Sequence, residues 1–319
     1  MRQIDYPIDA RFDGKKLYSF LKGEAKLSSK LIRSLKQCPD GLQINGAHAR
    51  TVDLLHAGDT VTVCLPDDPH PALPGSVLPE ILYADDDLLV VNKPAMMPIH
   101  ESHNHQGDTL QNCVALYEKE HGASGAFRAV GRLDKGTSGV VVCARNAHAA
   151  ARLSGKPEKT YLAIATGLFT GSGTIDLPIY RPDPMKTLRT ADPRGDKAVT
   201  HWTAKKTDGK NTLLAITLET GRTHQIRVHF AALGAPLLGD TMYGTPDPRL
   251  CHQALHCASV RLFHPVTGQE IVCRAPMPPE MQTVADEMSP VKAVDNPAAG
   301  DYNRNNEDQP GKEEQHYDD

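Results

Sequence analysis

Gly131-Arg132-Leu133-Asp134-Lys135-Gly136-Thr137-Ser138-Gly139 stands immediately before an apolar run, Val140 to Ala144. An aspartate among Gly and Thr/Ser is a turn residue in most proteins. A loop held by a rigid strand can instead display that carboxylate into a cleft, as nucleophile or base. Further along comes Glu219-Thr220-Gly221-Arg222-Thr223-His224-Gln225-Ile226-Arg227-Val228-His229. Two arginines at a helix entrance are costly to bury unless they meet anions, and a carboxylate or an RNA phosphate would serve. Between these segments Lys159-Thr160-Tyr161 opens a strand, with a cation and a phenol at its start.

Metal chemistry has weaker support. Cys251-His252-Gln253-Ala254-Leu255-His256-Cys257 and the trio His100, His103 and His105 offer ligand atoms, but neither has a zinc spacing with a matching second half. No metal is therefore expected. A metal-dependent nucleic-acid hydrolase would rest on that cluster alone. The chain carries neither Gly-x-x-x-x-Gly-Lys nor Gly-x-Gly-x-x-Gly after a strand, so no nucleotide cofactor is expected. A Gly-x-Ser-x-Gly elbow is missing too.

These segments need a scaffold. Leu88 to Val91 and Val140 to Ala144 are continuous apolar runs, as in strands covered on both faces. Tyr161–Ala165 and Thr212–Leu218 read as further strands. Thr223–Leu233 fits a helix, with Ile226, Phe230 and Leu233 on one face and Gly234 placed to stop it. Strands and helices do not alternate regularly, which predicts an α+β fold. Five prolines between Pro66 and Pro79 mark a linker at 67–79, separating a small lobe (10–66) from a large one (80–288). The stretch 289–319 is polar and acidic and is expected to be a disordered tail.

Net charge is −4, yet it is unevenly spread. From Ser289 onward eight acids face Lys292, Arg304 and Lys312, a net −5; the body keeps 32 Lys+Arg against 31 Asp+Glu, or +1. Lys15–Lys36 holds seven basic residues and only Glu24 as acid. Within it Leu27–Lys36 fits a helix capped by Ser28 or Ser29, with Leu31, Ile32 and Leu35 inward and Lys30, Arg33 and Lys36 outward. Such a lobe can grip a polyanion even when the whole chain is acidic. Seven scattered cysteines without a Cys-x-x-Cys pair suit reduced thiols in the cytoplasm. There is no apolar run long enough to span a membrane and no secretory signal at the start.

Two resemblances sharpen this reading. Gly41, Ile44-Asn45-Gly46 and Ala57-Gly58-Asp59-Thr60-Val61, after basic helices, resemble the small RNA-binding module of ribosomal protein S-four. This implies a module gripping structured RNA by its phosphates. Over residues 80–277, Arg132-Leu133-Asp134 with Thr137-Ser138-Gly139, Lys159-Thr160-Tyr161 and Gly221–His229, in this order, resemble the RluA-type pseudouridine synthases. Asn92-Lys93-Pro94, Gly239-Asp240, Tyr243-Gly244 and Leu255-His256 add to the likeness. Gly131 and Lys135-Gly136 depart from the family's usual residues without touching the carboxylate.

The resemblance implies a catalytic domain on a mixed, largely antiparallel sheet. It implies isomerisation of a uridine to pseudouridine without cofactor, in large-subunit ribosomal RNA or, alternatively, transfer RNA. Asp134 would be the catalytic aspartate, Tyr161 the active-site aromatic and Arg227 the arginine paired with Asp134. Arg132 and Arg222, with Lys30, Arg33 and Lys36, would bind RNA. A monomer is expected. An RNA-binding or assembly factor that kept the fold and lost the chemistry would have no need for Asp134, Tyr161 and Arg227 together.

Overall fold

The computed structural model describes residues 2–66, 72–122, 127–153 and 157–291. In the first lobe β1 (Arg2–Pro7), β2 (Leu42–Ile44), β3 (Ala47–His48) and β4 (Thr60–Leu65) form an antiparallel sheet in the order β1-β4-β2-β3. Helices α1 (Leu17–Gly23) and α2 (Ser29–Leu35) share its core through Leu17, Phe20, Leu21, Ile32 and Leu35, against Val61 and Val63. Ser28 caps α2 by accepting the Leu31 N–H. Lys30, Arg33 and Lys36 are exposed, as the spacing predicts.

The expected boundaries shift at three places. The lobe begins at Arg2 rather than residue 10, because β1 pairs along its whole length with β4. Of the linker, residues 67–71 lie outside the described residues, and its second half is docked. Asn112 donates its side-chain N–H to the Leu73 carbonyl at 2.8 Å, and the Gly75 N–H reaches the Asn112 carbonyl. Beyond the large lobe Ser289–Pro290 adds a short strand to the sheet, so the folded chain runs past 288; most of the expected tail lies outside the described residues.

The large lobe contains β5 (Glu80–Ala84), β6 (Leu88–Lys93), α3 (Leu110–Glu120), β7 (Arg128–Ala129), β8 (Ser138–Ala144), α4 (Ala147–Leu153), β9 (Glu158–Thr166) and β10 (Ser172–Asp176). It continues with β11 (Ile179–Tyr180), β12 (Thr190–Ala191), β13 (Val199–Thr207), β14 (Asn211–Leu218), α5 (Gln225–Ala232), β15 (Leu255–Phe263), β16 (Glu270–Arg274), α6 (Pro279–Asp286) and β17 (Ser289–Pro290). Apart from the β11–β12 pair, its strands join one sheet with the path β10-β13-β14-β9-β15-β8-β6-β5. All pairings are antiparallel except β8 with β15. This is the mixed, largely antiparallel α+β architecture. Every residue of β8 is buried, which its unbroken apolar run requires.

Gly139 marks the parallel contact. Its φ is +109°, and a Cβ there would lie 2.2 Å from the Cys257 carbonyl oxygen of β15. Both backbone strain and space demand glycine. Gly139→Ala is expected to destabilise the large lobe by about 3 kcal/mol or more, seen as a lowered melting temperature. A wild-type melting curve would contradict this packing.

Candidate active site

Asp134 stands at the head of the turn entering β8, where its carbonyl accepts the Thr137 N–H at 3.0 Å. The turn is pinned from two sides. Gly136 packs against Gln253, whose side-chain N–H donates to Thr137 Oγ1 at 3.0 Å. Beneath it Lys93, fully buried at the end of β6, donates to the carbonyls of Pro94, Met97 and Lys135 at 2.9, 2.9 and 3.1 Å. Burial pulls the Lys93 pKa down to about 7, with the Asp134 carboxylate opposing. Three carbonyls match the three N–H groups of an ammonium, whereas a neutral amine has two, so the hydrogen bonds too favour the charged form. Lys93→Met frees the Lys135 carbonyl next to the carboxylate. Turnover is expected to fall about 10²-fold through misplacement of Asp134, with RNA affinity unchanged; single-turnover rates and filter binding separate the two. Undiminished turnover would show that Lys93 does not hold the loop.

The helix α5 supplies the opposing wall, and it begins two residues later than its apolar spacing suggests. His224 occupies the N-cap in the left-handed region, φ 59°. The motif Gly221–His229 then divides by role. Gln225 and His229 are buried braces: Gln225 bonds the backbone of Val199 and Arg222, and His229 bonds Thr200 Oγ1 and the Leu177 carbonyl. Arg227, in the first turn, points toward the carboxylates. Its Nε and Nη2 donate to Asp240 at 2.7 and 2.8 Å, and its Nη1 reaches Asp134 Oδ2 at 3.3 Å. The expected Asp134–Arg227 pair is present, but the shorter, two-pronged contact belongs to Asp240, which is wholly buried. Burial disfavours the guanidinium charge; Asp240 and then Asp134 outweigh it, so the Arg227 pKa is raised.

Tyr243 completes this wall. The Arg227 guanidinium lies 5.0 Å from its ring centroid. Its hydroxyl accepts the Arg189 backbone N–H at 3.0 Å and is 2.8 Å from His224 Nδ1. The other ring nitrogen, His224 Nε2, lies 3.9 Å from Asp134 Oδ2. Burial lowers the His224 pKa, against the pull of Asp134.

Tyr161 projects from β9 into the same cleft, and burial pushes its phenol well above the ordinary tyrosine range. It is therefore a neutral hydroxyl at physiological pH. The cleft has a volume of about 610 Å³ and is lined by Arg132, Asp134, Lys159, Tyr161, Arg222 and His224, among others. That is a size suited to a guest the size of a nucleoside. The Asp134 side chain is 26% exposed here, against 7% for Arg227 behind it. Arg132 and Arg222 are exposed at the rim, the latter bonded to the Lys197 carbonyl and 3.4 Å from Asp196. Lys30 and Arg33 on α2, and Lys36 at its C-cap, stay in the first lobe and do not line the cleft. Gly131 has φ +78°, so the family's usual bulkier residue would be strained in this conformation.

Lys93, His224, Asp240 and Tyr243 contact the Asp134 turn, Asp134 or Arg227, and the sequence reading gives them no role. A signal existed for Asp240: a buried arginine needs a carboxylate, and Asp134, displayed to solvent, cannot fully supply one. The His/Cys segment is knit into the packing instead. His252 bonds Glu280 at 2.9 Å, and His256 bonds Ser138 Oγ and the Ala275 carbonyl. Among the described residues Asp85, Asp87 and His264 converge within 4.8 Å, where a metal could in principle be held. Asp87, however, takes the side chains of Arg2 and Asn146, which ties the first lobe to the second.

A turn-borne carboxylate facing a cleft, backed by an anchored arginine and a neutral phenol on a mixed sheet, fits an enzyme of the pseudouridine synthase class. The family model of RNA pseudouridylate synthase matches residues 87–232. The chain is 37% identical over 296 residues to the uncharacterized RNA pseudouridine synthase YhcT of Bacillus subtilis, covering 89% of this chain and 96% of that one. It is 36% identical over 228 residues to ribosomal large subunit pseudouridine synthase D of Salmonella typhimurium, covering 66% and 70%. Among solved structures, human RNA pseudouridylate synthase domain containing 1 superposes with a TM-score of 0.55 at 26% identity, over 70% of this chain and 94% of that one. The chain belongs to the RNA pseudouridine synthase family, of the RluA type, and is an isomerase acting on RNA. Among the described residues no helix is long and apolar enough to cross a membrane.

Proposed function

We propose that this protein converts one uridine of structured RNA to pseudouridine, with large-subunit ribosomal RNA favoured and transfer RNA the alternative, acting as a cytoplasmic monomer without cofactor. The observation carrying the reading is the Asp134 carboxylate, open to the cleft while Arg227, itself clamped by Asp240, holds it from behind. The name of the Salmonella relative supports ribosomal RNA. In the reaction the bond from the sugar C1′ to base N1 breaks, the base turns, and C1′ joins C5; the C5 proton leaves and N1 gains one. Electrons balance within the nucleotide, so no redox partner is needed. Asp134 can attack C1′ as nucleophile, or assist expulsion of uracilate and take a proton from C2′. Arg227 hydrogen-bonds the carboxylate in either route. Tyr161 offers its ring to the extruded base and its hydroxyl for proton transfer.

Extrusion of the base from structured RNA costs a few kcal/mol. Phosphate contacts from Lys30, Arg33 and Lys36, and from Arg132 and Arg222 at the cleft rim, offset it. Mapping pseudouridines in total RNA from a strain lacking the gene, against its parent, tests the assignment. Loss at one ribosomal uridine supports it, and loss in a transfer RNA selects the alternative. An unchanged map overturns both.

A further inference from the structure

Beside the catalytic cleft lies a second hollow of about 420 Å³, and Gly221, Arg222 and Thr223 wall both. Its remaining lining includes Tyr180, Arg181, Arg189 and Arg194 from the β11–β12 hairpin and the segment after it. The charges there are unequal in their pairing. Arg194 forks onto Asp192 and lies over the Tyr180 ring at 4.5 Å, and Arg222 faces Asp196. Arg181 and Arg189 have no carboxylate partner among the described residues. The Arg181 side chain donates to the Lys186 carbonyl, and that of Arg189 to the carbonyls of Lys186, Thr187 and Leu188. Backbone carbonyls orient a guanidinium without neutralising it, so two oriented positive charges face the hollow. The Arg189 backbone also reaches the Tyr243 hydroxyl that contacts His224, so the hairpin is fixed relative to the cleft.

A strand that delivers a base into the cleft must carry its neighbouring phosphates past the shared wall. We infer that this arginine-lined hollow receives backbone phosphates of the RNA beside the extruded uridine, through Arg181 and Arg189, with Arg194 and Arg222 at its edges. The inference rests on RNA being the substrate. Phosphate contacts of this kind add affinity and register but no base choice.

The test uses the full-length protein and a fluorescein-labelled ten-nucleotide single-stranded RNA, with affinity measured by anisotropy over a range of KCl concentrations. Each phosphate contact on a single strand contributes about 0.7 to the slope of log affinity against log salt. The double variant Arg181→Gln/Arg189→Gln should therefore lose about 1.4 from that slope and bind about tenfold more weakly at low salt. Arg181→Lys/Arg189→Lys should recover most of it, because an ammonium neutralises phosphate without reproducing the carbonyl-bonding fork. Lys205→Gln/Lys210→Gln, the same charge change on an exposed part of β13 and the β13–β14 turn, should leave the slope unaltered. An unchanged slope in the arginine double variant overturns the inference. So does an equal loss in the lysine-to-glutamine control, or failure of the lysine variants to rescue, which would mark the arginines as mere loop braces. Pseudouridine formation alongside an unchanged slope would remove the hollow's role and leave the catalytic assignment standing. A hollow-dependent slope in a protein that makes no pseudouridine would do the reverse.

Discussion

Asp134→Asn is expected to abolish turnover while RNA affinity stays within severalfold of wild type. The substitution keeps the shape of the side chain and its hydrogen-bonding capacity, and Arg227 Nη1 still finds an oxygen at the position it now reaches at 3.3 Å. What disappears is the negative charge and with it the nucleophile or base. Because Asp134 belongs to a turn held independently by Lys93, Gln253 and the Thr137 N–H, the loop should keep its course. With the proposed phosphate contacts elsewhere intact, binding should persist. Lost turnover together with lost RNA binding would return Asp134 to the role of a structural turn residue. Near-normal pseudouridine formation, measured on uridine-labelled RNA, would sink the assignment.

The second large effect is at Arg227. Arg227→Met strands the Asp240 carboxylate, fully buried, with only the Met242 and Tyr243 N–H groups for company among the described residues. Breaking one side of a buried ion pair costs about 3–5 kcal/mol, or a melting temperature lower by on the order of 10 °C for a domain of this size. Turnover should be abolished or severely reduced as well. Arg227→Lys should rescue only partly, since an ammonium cannot span Asp240 in two prongs and still reach Asp134. Adding Asp240→Leu to Arg227→Met removes the stranded charge and should restore much of the stability but none of the turnover. Differential scanning calorimetry and a turnover assay on the same samples distinguish these effects. If stability and activity return together, Arg227 serves the fold alone.

Much of this architecture is legible in the sequence because burial on both faces leaves an unmistakable pattern. Leu88–Val91 and Val140–Ala144 become the central strands β6 and β8, and Ile226 and Phe230 become the inward face of α5. Other features leave no such trace. In β1 only Ile4 is buried, so the strand has too little periodicity to be recognised, and its place is set by pairing with β4. The linker docks by hydrogen bonds to Asn112, which composition does not record. The helix start at Gln225 depends on the left-handed backbone of His224, a conformation that sequence spacing does not announce. At the site, Asp134 and Arg227 stand out because polar residues beside apolar elements demand partners. Asp240 is signalled only indirectly, by the need of a buried arginine for a carboxylate, since its own lies in a loop thirteen residues beyond Arg227 and meets it only through the fold.

The most direct measurement incubates the purified full-length protein with RNA from a strain lacking the gene, in the presence of a metal chelator and with no added cofactor. Pseudouridine is then mapped and quantified at each position. Approach to one pseudouridine per RNA molecule at a single uridine, with RNA in molar excess over protein, is the expected result. Absence of any new pseudouridine, or its appearance only after metal or cofactor is restored, would contradict catalysis by the Asp134 carboxylate alone.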